Sequence, residues 1–244
     1  DMPAEGAGKG YYYYYHSPHQ LMEHVRIIRT ALLERINQSG ERVLLITSSV
    51  ASTGKTSVAV LLAKSLAMVG KKVLLVEGDL RRPVLAQRLD LEPQPGLASL
   101  LCGQLEAEAA IQSSGLANFD VLAAGPIPTG FSPELLANGV FRACSDEWRK
   151  KYDYVLLDSP PILPVADAQI LAAHADGTVM ILRCSHDRQQ EATEALTQLV
   201  TAGGRLLGTI LIGGPPTPRR RETYGYDYQY KYDYYYYSPP RPTE

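Results

Sequence analysis

Cysteine is scarce and scattered in this sequence. Cys102, Cys144 and Cys184 are the only three in 244 residues. They form no CxxC pair and no dense framework, so a disulfide-stapled domain is excluded and a reducing compartment is the simpler reading. Each is expected to be a small buried hydrophobe. Long apolar runs are missing too: none approaches the ~18–20 residues that span a bilayer, and no stretch has the pattern of a signal peptide. Excess charge is absent, with a net charge of −2 and a pI near 6.3. No global basic field draws this chain to nucleic acid. The first residue is Asp1 rather than a methionine, so the chain is read as trimmed, or as the cytoplasmic part of something longer.

Tyrosine is nearly absent from the middle of the chain. Of 16 tyrosines, only Tyr152 and Tyr154 lie between Tyr15 and Tyr224. The rest crowd into Tyr11–Tyr15 and into the run YGYDYQYKYDYYYY, which spans 224–237. This asymmetry divides the chain into an N-terminal segment (1–17), a folded body (18–215) and a biased C-terminal tail (216–244). The body has the length of one α/β domain and can bury a substantial core.

Strand and helix signals alternate along the body. Apolar, β-rich runs occur at 42–49, 71–79, 119–125, 152–161, 177–184 and 205–214. They are continuously apolar rather than alternating, the pattern of strands buried on both faces in a mostly parallel sheet flanked by helices. An amphipathic helix is expected over 21–36, with Leu21, Val25, Ile28 and Leu32 on its apolar stripe. A second helix is expected from Thr56 to about Val69, stopped by Gly70. Ser132-Pro133-Glu134 reads as an N-cap followed by proline at the first helical position, opening a helix toward Trp148. In such a sheet the ligand crevice lies at the carboxyl ends of the strands.

The chemistry-bearing residues fall at those ends. SSVASTGKTS (48–57) follows the first strand and opens a helix. It fits the phosphate-loop pattern GxxxxGK[ST] at Gly54, Lys55 and Thr56, with Ser49 where the first glycine belongs. Backbone N–H groups of Ser52, Thr53, Gly54, Lys55 and Thr56 can form a nest for phosphate, with Ser57 closing the loop. The helix N-terminus adds partial positive charge. Lys55 reaches toward β/γ-phosphates and the Thr56 hydroxyl suits Mg2+. Two further strands end in acids. VLLVEGDLRRP (73–83) carries Glu77 and Asp79, two residues apart on the expected strand and so on one face. VLLDSPP (155–161) carries Asp158, in the place where phosphate-loop proteins keep a metal-holding aspartate. Within the pair, one acid can help bind the metal and the other can orient or deprotonate an incoming hydroxyl. The alternative for these acids is a role in capping helices or pairing with Arg81 and Arg82.

In this order the motifs resemble the cytoplasmic catalytic domain of the bacterial tyrosine kinases that act with capsule and exopolysaccharide assembly. The resemblance covers roughly residues 18–215 and the tyrosine tail. SSVASTGKTS resembles the Walker A loop of that family, VLLVEGDLRRP its Walker A′ and YDYVLLDSPPILPVADA (152–168) its Walker B region. AGPIPTGFSPELL (124–136) resembles its connector. Glu23, Arg26 and Arg29 match its ExxRxxR motif, which implies a subunit contact in a ring. The residues alone suggest instead a solvated charged face. The implied fold is P-loop NTPase-like. The implied activity is Mg-ATP-dependent protein-tyrosine phosphorylation, with Lys55, Glu77, Asp79 and Asp158 as catalytic residues and Thr56, Asp79 and Asp158 on the metal. The implied phosphoacceptors are Tyr224, Tyr226, Tyr228, Tyr230, Tyr232, Tyr234, Tyr235, Tyr236 and Tyr237, presented to a neighbouring copy. The implied partner is a transmembrane polysaccharide co-polymerase that activates the kinase, fused or separate, at the inner face of the plasma membrane.

The sequence also departs from that family. Ala51, Ser52 and Thr53 stand where it usually has Pro-Gly-Glu, Glu77 where it has aspartate, and Ile212 near where an asparagine often meets the base. Losing the glycine restricts positive φ. Two rival readings follow: a partitioning ATPase of the MinD/ParA kind, and a catalytically degenerate ATP-sensing scaffold of the polysaccharide machinery. Val50 occupies the place of the signature lysine of the first rival. The tail is expected to be disordered, isolated from the body by GGPPTPRRR (213–221). Arg219–Arg221 read as a solvated basic turn, and Tyr11–Tyr15 have no physical assignment.

Overall fold

The computed structural model describes residues 18–213 apart from 38, 39, 93, 130 and 185. Tyr11–Tyr15, Arg219–Arg221 and the nine tail tyrosines lie outside these residues. The elements begin with helix α1 (Pro18–Asn37), strand β1 (Val43–Ser48), helix α2 (Lys55–Ala67) and strand β2 (Val73–Glu77). Three short helices follow, α3 (Leu85–Arg88), α4 (Leu97–Leu101) and α5 (Ala107–Ala110), then strands β3 (Gln112–Ser113) and β4 (Phe119–Leu122). A 3-10 turn (Pro133–Ala137) leads into α6 (Gly139–Lys151) and β5 (Tyr154–Asp158). The body closes with α7 (Asp167–His174), β6 (Gly177–Arg183), α8 (Gln189–Thr201) and β7 (Leu206–Ile212).

The seven strands form one sheet in the order β3-β4-β2-β5-β1-β6-β7. Every pairing is parallel except the short antiparallel edge β3·β4. Burial explains the apolar runs. β1, β2 and β5 are buried at every position, and successive residues feed opposite faces. Leu44, Ile46, Leu75 and Leu156 pack with Ile36 of α1 and with Leu62 and Leu66 of α2. Val43, Leu45, Leu74 and Leu157 pack with Phe141 and Trp148 of α6, Leu171 of α7 and Leu199 of α8. Phe141 and Trp148 meet edge to face, with ring centroids 5.9 Å apart.

Several expectations change in detail. β7 alternates in burial instead of being buried throughout, because it is an edge strand with one uncovered side. The helix expected from Ser132 is two elements. Ser132 makes no side-chain cap to the 3-10 turn, and Asn138 caps α6 by accepting from the N–H groups of Val140 and Phe141. On α1 the buried stripe runs through Val25, Leu32 and Ile36, whereas Leu21 is exposed. None of the cysteines is fully buried: Cys102 is exposed and Cys144 and Cys184 are intermediate. No helix among the described residues is long and apolar enough to cross a membrane.

Candidate active site

Sheet order sets the site. β5 lies between β2 and β1, so the carboxyl ends of the three strands stand side by side. Asp158 pairs in register with Ile46 on one side and Glu77 on the other. The loop after β1 and the turn after β2 therefore flank Asp158 directly.

The phosphate loop turns into α2 through Gly54, whose φ of 97° only glycine adopts easily. The Gly54 carbonyl accepts the Val58 N–H at 3.0 Å. No side chain caps the start of α2, which leaves its first N–H groups aimed at the crevice, as anion binding requires. Ser52 holds φ 63° although it is not glycine. A left-handed conformation costs an L-residue roughly 1–2 kcal/mol, a strain that a glycine at this position would not carry. Ser57 was expected in the nucleotide set, but its hydroxyl accepts a hydrogen bond from Arg88 of α3 at 2.7 Å. That draws the side chain toward α3.

Lys55 and Asp79 come together, with Nζ 3.5 Å from Oδ2 and both side chains largely buried. The other Asp79 oxygen accepts the Arg82 N–H at 3.1 Å. Asp158 is sequestered, and neither of its oxygens has a hydrogen-bond partner. Burial pushes its carboxyl up to about 7, opposed by the nearby Lys55 ammonium and by the Thr56 hydroxyl, which stands close but outside hydrogen-bond geometry. The Thr53 hydroxyl is likewise buried and unpartnered. Orphaned polar atoms in a native site call for a ligand, ion or water. A carboxylate, a hydroxyl and a lysine around one point suit a phosphate-bound Mg2+, which takes one or two carboxylates and leaves the remaining positions to phosphate and water. No set of three or more His, Cys, Asp or Glu residues disposed to hold a metal occurs among the described residues.

Glu77 departs from its expected part. β2 ends at Glu77, so the period-two argument that put Glu77 and Asp79 on one face does not reach Asp79. One Glu77 oxygen accepts the N–H groups of Val84 and Leu85, the latter at 2.7 Å. The other accepts the Ala124 N–H at 2.9 Å. Burial raises the Glu77 carboxyl above its ordinary value despite these three donors. The side chain is a staple joining the ends of β2 and β4 to α3, and both its oxygens are engaged away from Lys55.

Other residues at this end had no clear sequence signal. Arg81 is held by Asp167 in a two-pronged ion pair, Nε to Oδ2 at 2.8 Å and Nη2 to Oδ1 at 3.1 Å. Asp187, just after β6, accepts the Ser49 hydroxyl. Its position beyond a strand's carboxyl end was the available clue. Ile212 packs beside the loop, its Cδ1 3.5 Å from where a Cβ on Gly54 would lie. Glu23, Arg26 and Arg29 do not form one free cluster. Arg26 pairs with Glu23, while Arg29 donates to the Ser65 carbonyl and hydroxyl on α2 at 3.1 and 3.2 Å.

Comparison with known proteins agrees with this geometry. The family model described as an AAA domain matches residues 41–206. The tyrosine-protein kinase YwqD of Bacillus subtilis is 38% identical over 191 residues, covering 78% of this chain and 80% of YwqD. Among solved structures, the kinase domain of the Escherichia coli tyrosine kinase ETK superposes with a TM-score of 0.77 at 30% identity, covering 84% of this chain and 80% of that one. The septum site-determining protein MinD of Pyrococcus horikoshii, solved with Mg-ADP, superposes at 0.61 with 27% identity, covering 70% of this chain and 69% of MinD. The phosphate-loop fold is common to both structures, and the stronger likeness is to the kinase. At 38% identity over most of its own length and most of YwqD, the chain belongs to the bacterial tyrosine-protein kinase family.

Proposed function

We propose that this domain transfers the γ-phosphoryl group of ATP to tyrosine hydroxyls, including those of the Tyr224–Tyr237 cluster on a neighbouring copy. The observation that carries the residue assignment is the buried pair Lys55–Asp79 standing beside a doubly unpartnered Asp158. Lys55 and the N–H groups from Ser52 to Thr56 hold the β/γ-phosphates. Thr56 and Asp158 would hold Mg2+, which would supply charge to neutralise the phosphate oxygens. Both Glu77 oxygens accept backbone N–H groups, whereas Asp79 meets Lys55, so Asp79 is assigned to face both metal and acceptor. It takes the phenolic proton as the tyrosine oxygen bonds to the γ-phosphorus and the bond to the β-phosphate oxygen breaks. Positioning and charge stabilisation supply most of the acceleration in such transfers.

The same reading makes the domain one component of a capsule or exopolysaccharide assembly. It works as a homo-oligomeric ring at the inner face of the membrane, switched on by a transmembrane co-polymerase, fused or separate. The test is incubation of the purified protein, with an activator fragment supplied, in Mg-ATP followed by phosphotyrosine blotting. The expected result is labelling that disappears in Lys55→Met and in a chain truncated before Tyr224. ATP hydrolysis without phosphotyrosine would favour the MinD/ParA-like rival. Nucleotide binding without turnover would favour the scaffold.

A further inference from the structure

Two serines of the phosphate loop, Ser49 at the first glycine position of the pattern and Ser52 in the left-handed region, are each held from the same place. Ser49 occupies the first glycine position of the pattern and is fully buried. Its hydroxyl donates to Oδ1 of Asp187, a side chain only 3% exposed. Ser52 sits at φ 63°, and its carbonyl accepts Nη1 of Arg183 at 3.3 Å. Arg183 and Asp187 are also tied to each other. The Arg183 N–H donates to Asp187 Oδ2 at 2.6 Å, and the Asp187 N–H donates back to the Arg183 carbonyl at 3.0 Å. The Cys184 N–H anchors the same turn to β7, donating to the Ile212 carbonyl at 2.8 Å.

We propose that Arg183 and Asp187 brace the phosphate loop: they are positioning residues, Arg183 holding Ser52 in the left-handed conformation glycine would reach unaided and Asp187 anchoring Ser49 at the loop's start. A glycine at position 52 enters the left-handed region without steric penalty. A serine there relaxes toward negative φ unless something fixes its carbonyl, and relaxation would turn the neighbouring N–H groups away from the phosphate. Arg183 fixes that carbonyl in mid-loop. Asp187 fixes the loop's start. The two clamps share one turn, so the wall formed after β6 and the loop formed after β1 are set as a unit. The brace rests on the nucleotide-binding reading above, but it concerns how the loop is held, not which reaction follows.

A double-mutant cycle tests it. Affinity for a fluorescent Mg-ADP analogue is measured by titration for the parent, Arg183→Ala, Ser52→Gly and the double variant. Loss of the clamp is expected to weaken binding about tenfold (~1.4 kcal/mol) in the parent, the scale of the left-handed penalty. In the Ser52→Gly background the same change is expected to cost less than about threefold, because there is no strain left to restrain. Arg183→Lys tests whether charge alone is enough, and the brace expects it to bind more weakly than the parent. Melting temperatures of the nucleotide-free variants are expected to match the parent, since Arg183 is exposed. Asp187→Ala in parent and Ser49→Ala backgrounds provides the second cycle, with its loss of affinity expected to shrink once the hydroxyl is gone, the remainder acting through the Arg183 N–H it also holds; an equal loss in both backgrounds would overturn the Ser49 clamp. Equal losses in both backgrounds would mean that Arg183 acts by charge on the phosphates directly, and would overturn the brace. So would unchanged affinity in Arg183→Ala. A parent that binds no nucleotide would instead defeat the reading on which the brace stands.

Discussion

Glu77 offers the sharpest discrimination between a metal-holding acid and a staple. Its carboxylate accepts three backbone N–H groups, those of Val84, Leu85 and Ala124. A buried donor left unsatisfied costs about 1–3 kcal/mol. Glu77→Ala removes all three acceptor contacts and opens a void, so a loss on the order of 3–5 kcal/mol is expected. Glu77→Gln should cost less. Its carbonyl can keep Val84 and Leu85, while its amide meets the Ala124 N–H donor to donor. Removing a buried charge whose carboxyl is raised by burial offsets part of that penalty, which leaves roughly 1–3 kcal/mol. Urea unfolding of nucleotide-free protein in EDTA gives the stabilities, and titration with a fluorescent Mg-ADP analogue gives affinity in the folded fraction. The staple predicts a stability order of parent, Gln, Ala, with Mg-dependent affinity within about threefold of the parent for Gln, a change of ~0.7 kcal/mol. If Glu77→Gln keeps full stability and loses Mg-dependent affinity a hundredfold, ~2.7 kcal/mol, the staple is refuted and Glu77 belongs to the metal.

Asp158→Asn is expected to change stability in a pH-dependent way in metal-free protein. The carboxyl is raised from 3.8 to about 7, so the parent keeps its full stability below pH 4 and loses it relative to the variant as pH rises through 7, by on the order of 4 kcal/mol. A difference that stays flat from pH 4 to 8 in urea unfolding would contradict this. Arg29→Ala should cost about 1–2 kcal/mol by freeing α1 from Ser65 of α2. Sizing of the same variant distinguishes the two uses of this residue, because lost assembly at unchanged stability would assign it to a subunit contact instead. Five phosphates on the tail would add on the order of −8 to −10 charges to a chain of net charge −2. Fully phosphorylated protein is therefore expected to elute as a smaller assembly than unphosphorylated protein, and equal elution would reject charge repulsion as the release mechanism.

The strand cores were readable because a strand buried on both faces has no polar choice to make. The run at 42–49 contains β1, and the run at 152–161 contains β5, each frayed by one to three residues per end. The short pieces α3, α4 and α5 carry too few residues to show a period. That the phosphate loop, Lys55, Thr56, Asp79 and Asp158 sit at one end of the sheet was legible because strand, turn and helix signals flank them locally; their roles belong to the proposal. The partners of Glu77 were not legible: Val84 and Leu85 reach it only through the turn after β2, and Ala124 only through the pairing of β2 with β4. The contacts of Arg183 and Asp187 with Ser52 and Ser49 were not legible because they span more than 130 positions. Arg29 shows the converse. Its spacing from Glu23 and Arg26 invited a common surface, but Ser65 on α2 claims the guanidinium first.

The placement of the two body tyrosines has a consequence for a protein that modifies phenols. Tyr154 opens β5 and Asp158 closes it, a separation of about 13 Å at the usual rise per residue. Tyr152 lies farther back still, its hydroxyl donating to Asp120 at 3.0 Å. Burial and that carboxylate push its phenol above the ordinary range, making it a reluctant nucleophile. The described body thus keeps both its aromatic hydroxyls at the far end of β5 from Asp158, so the acceptors of the proposed transfer within one copy are expected to come from outside the folded frame.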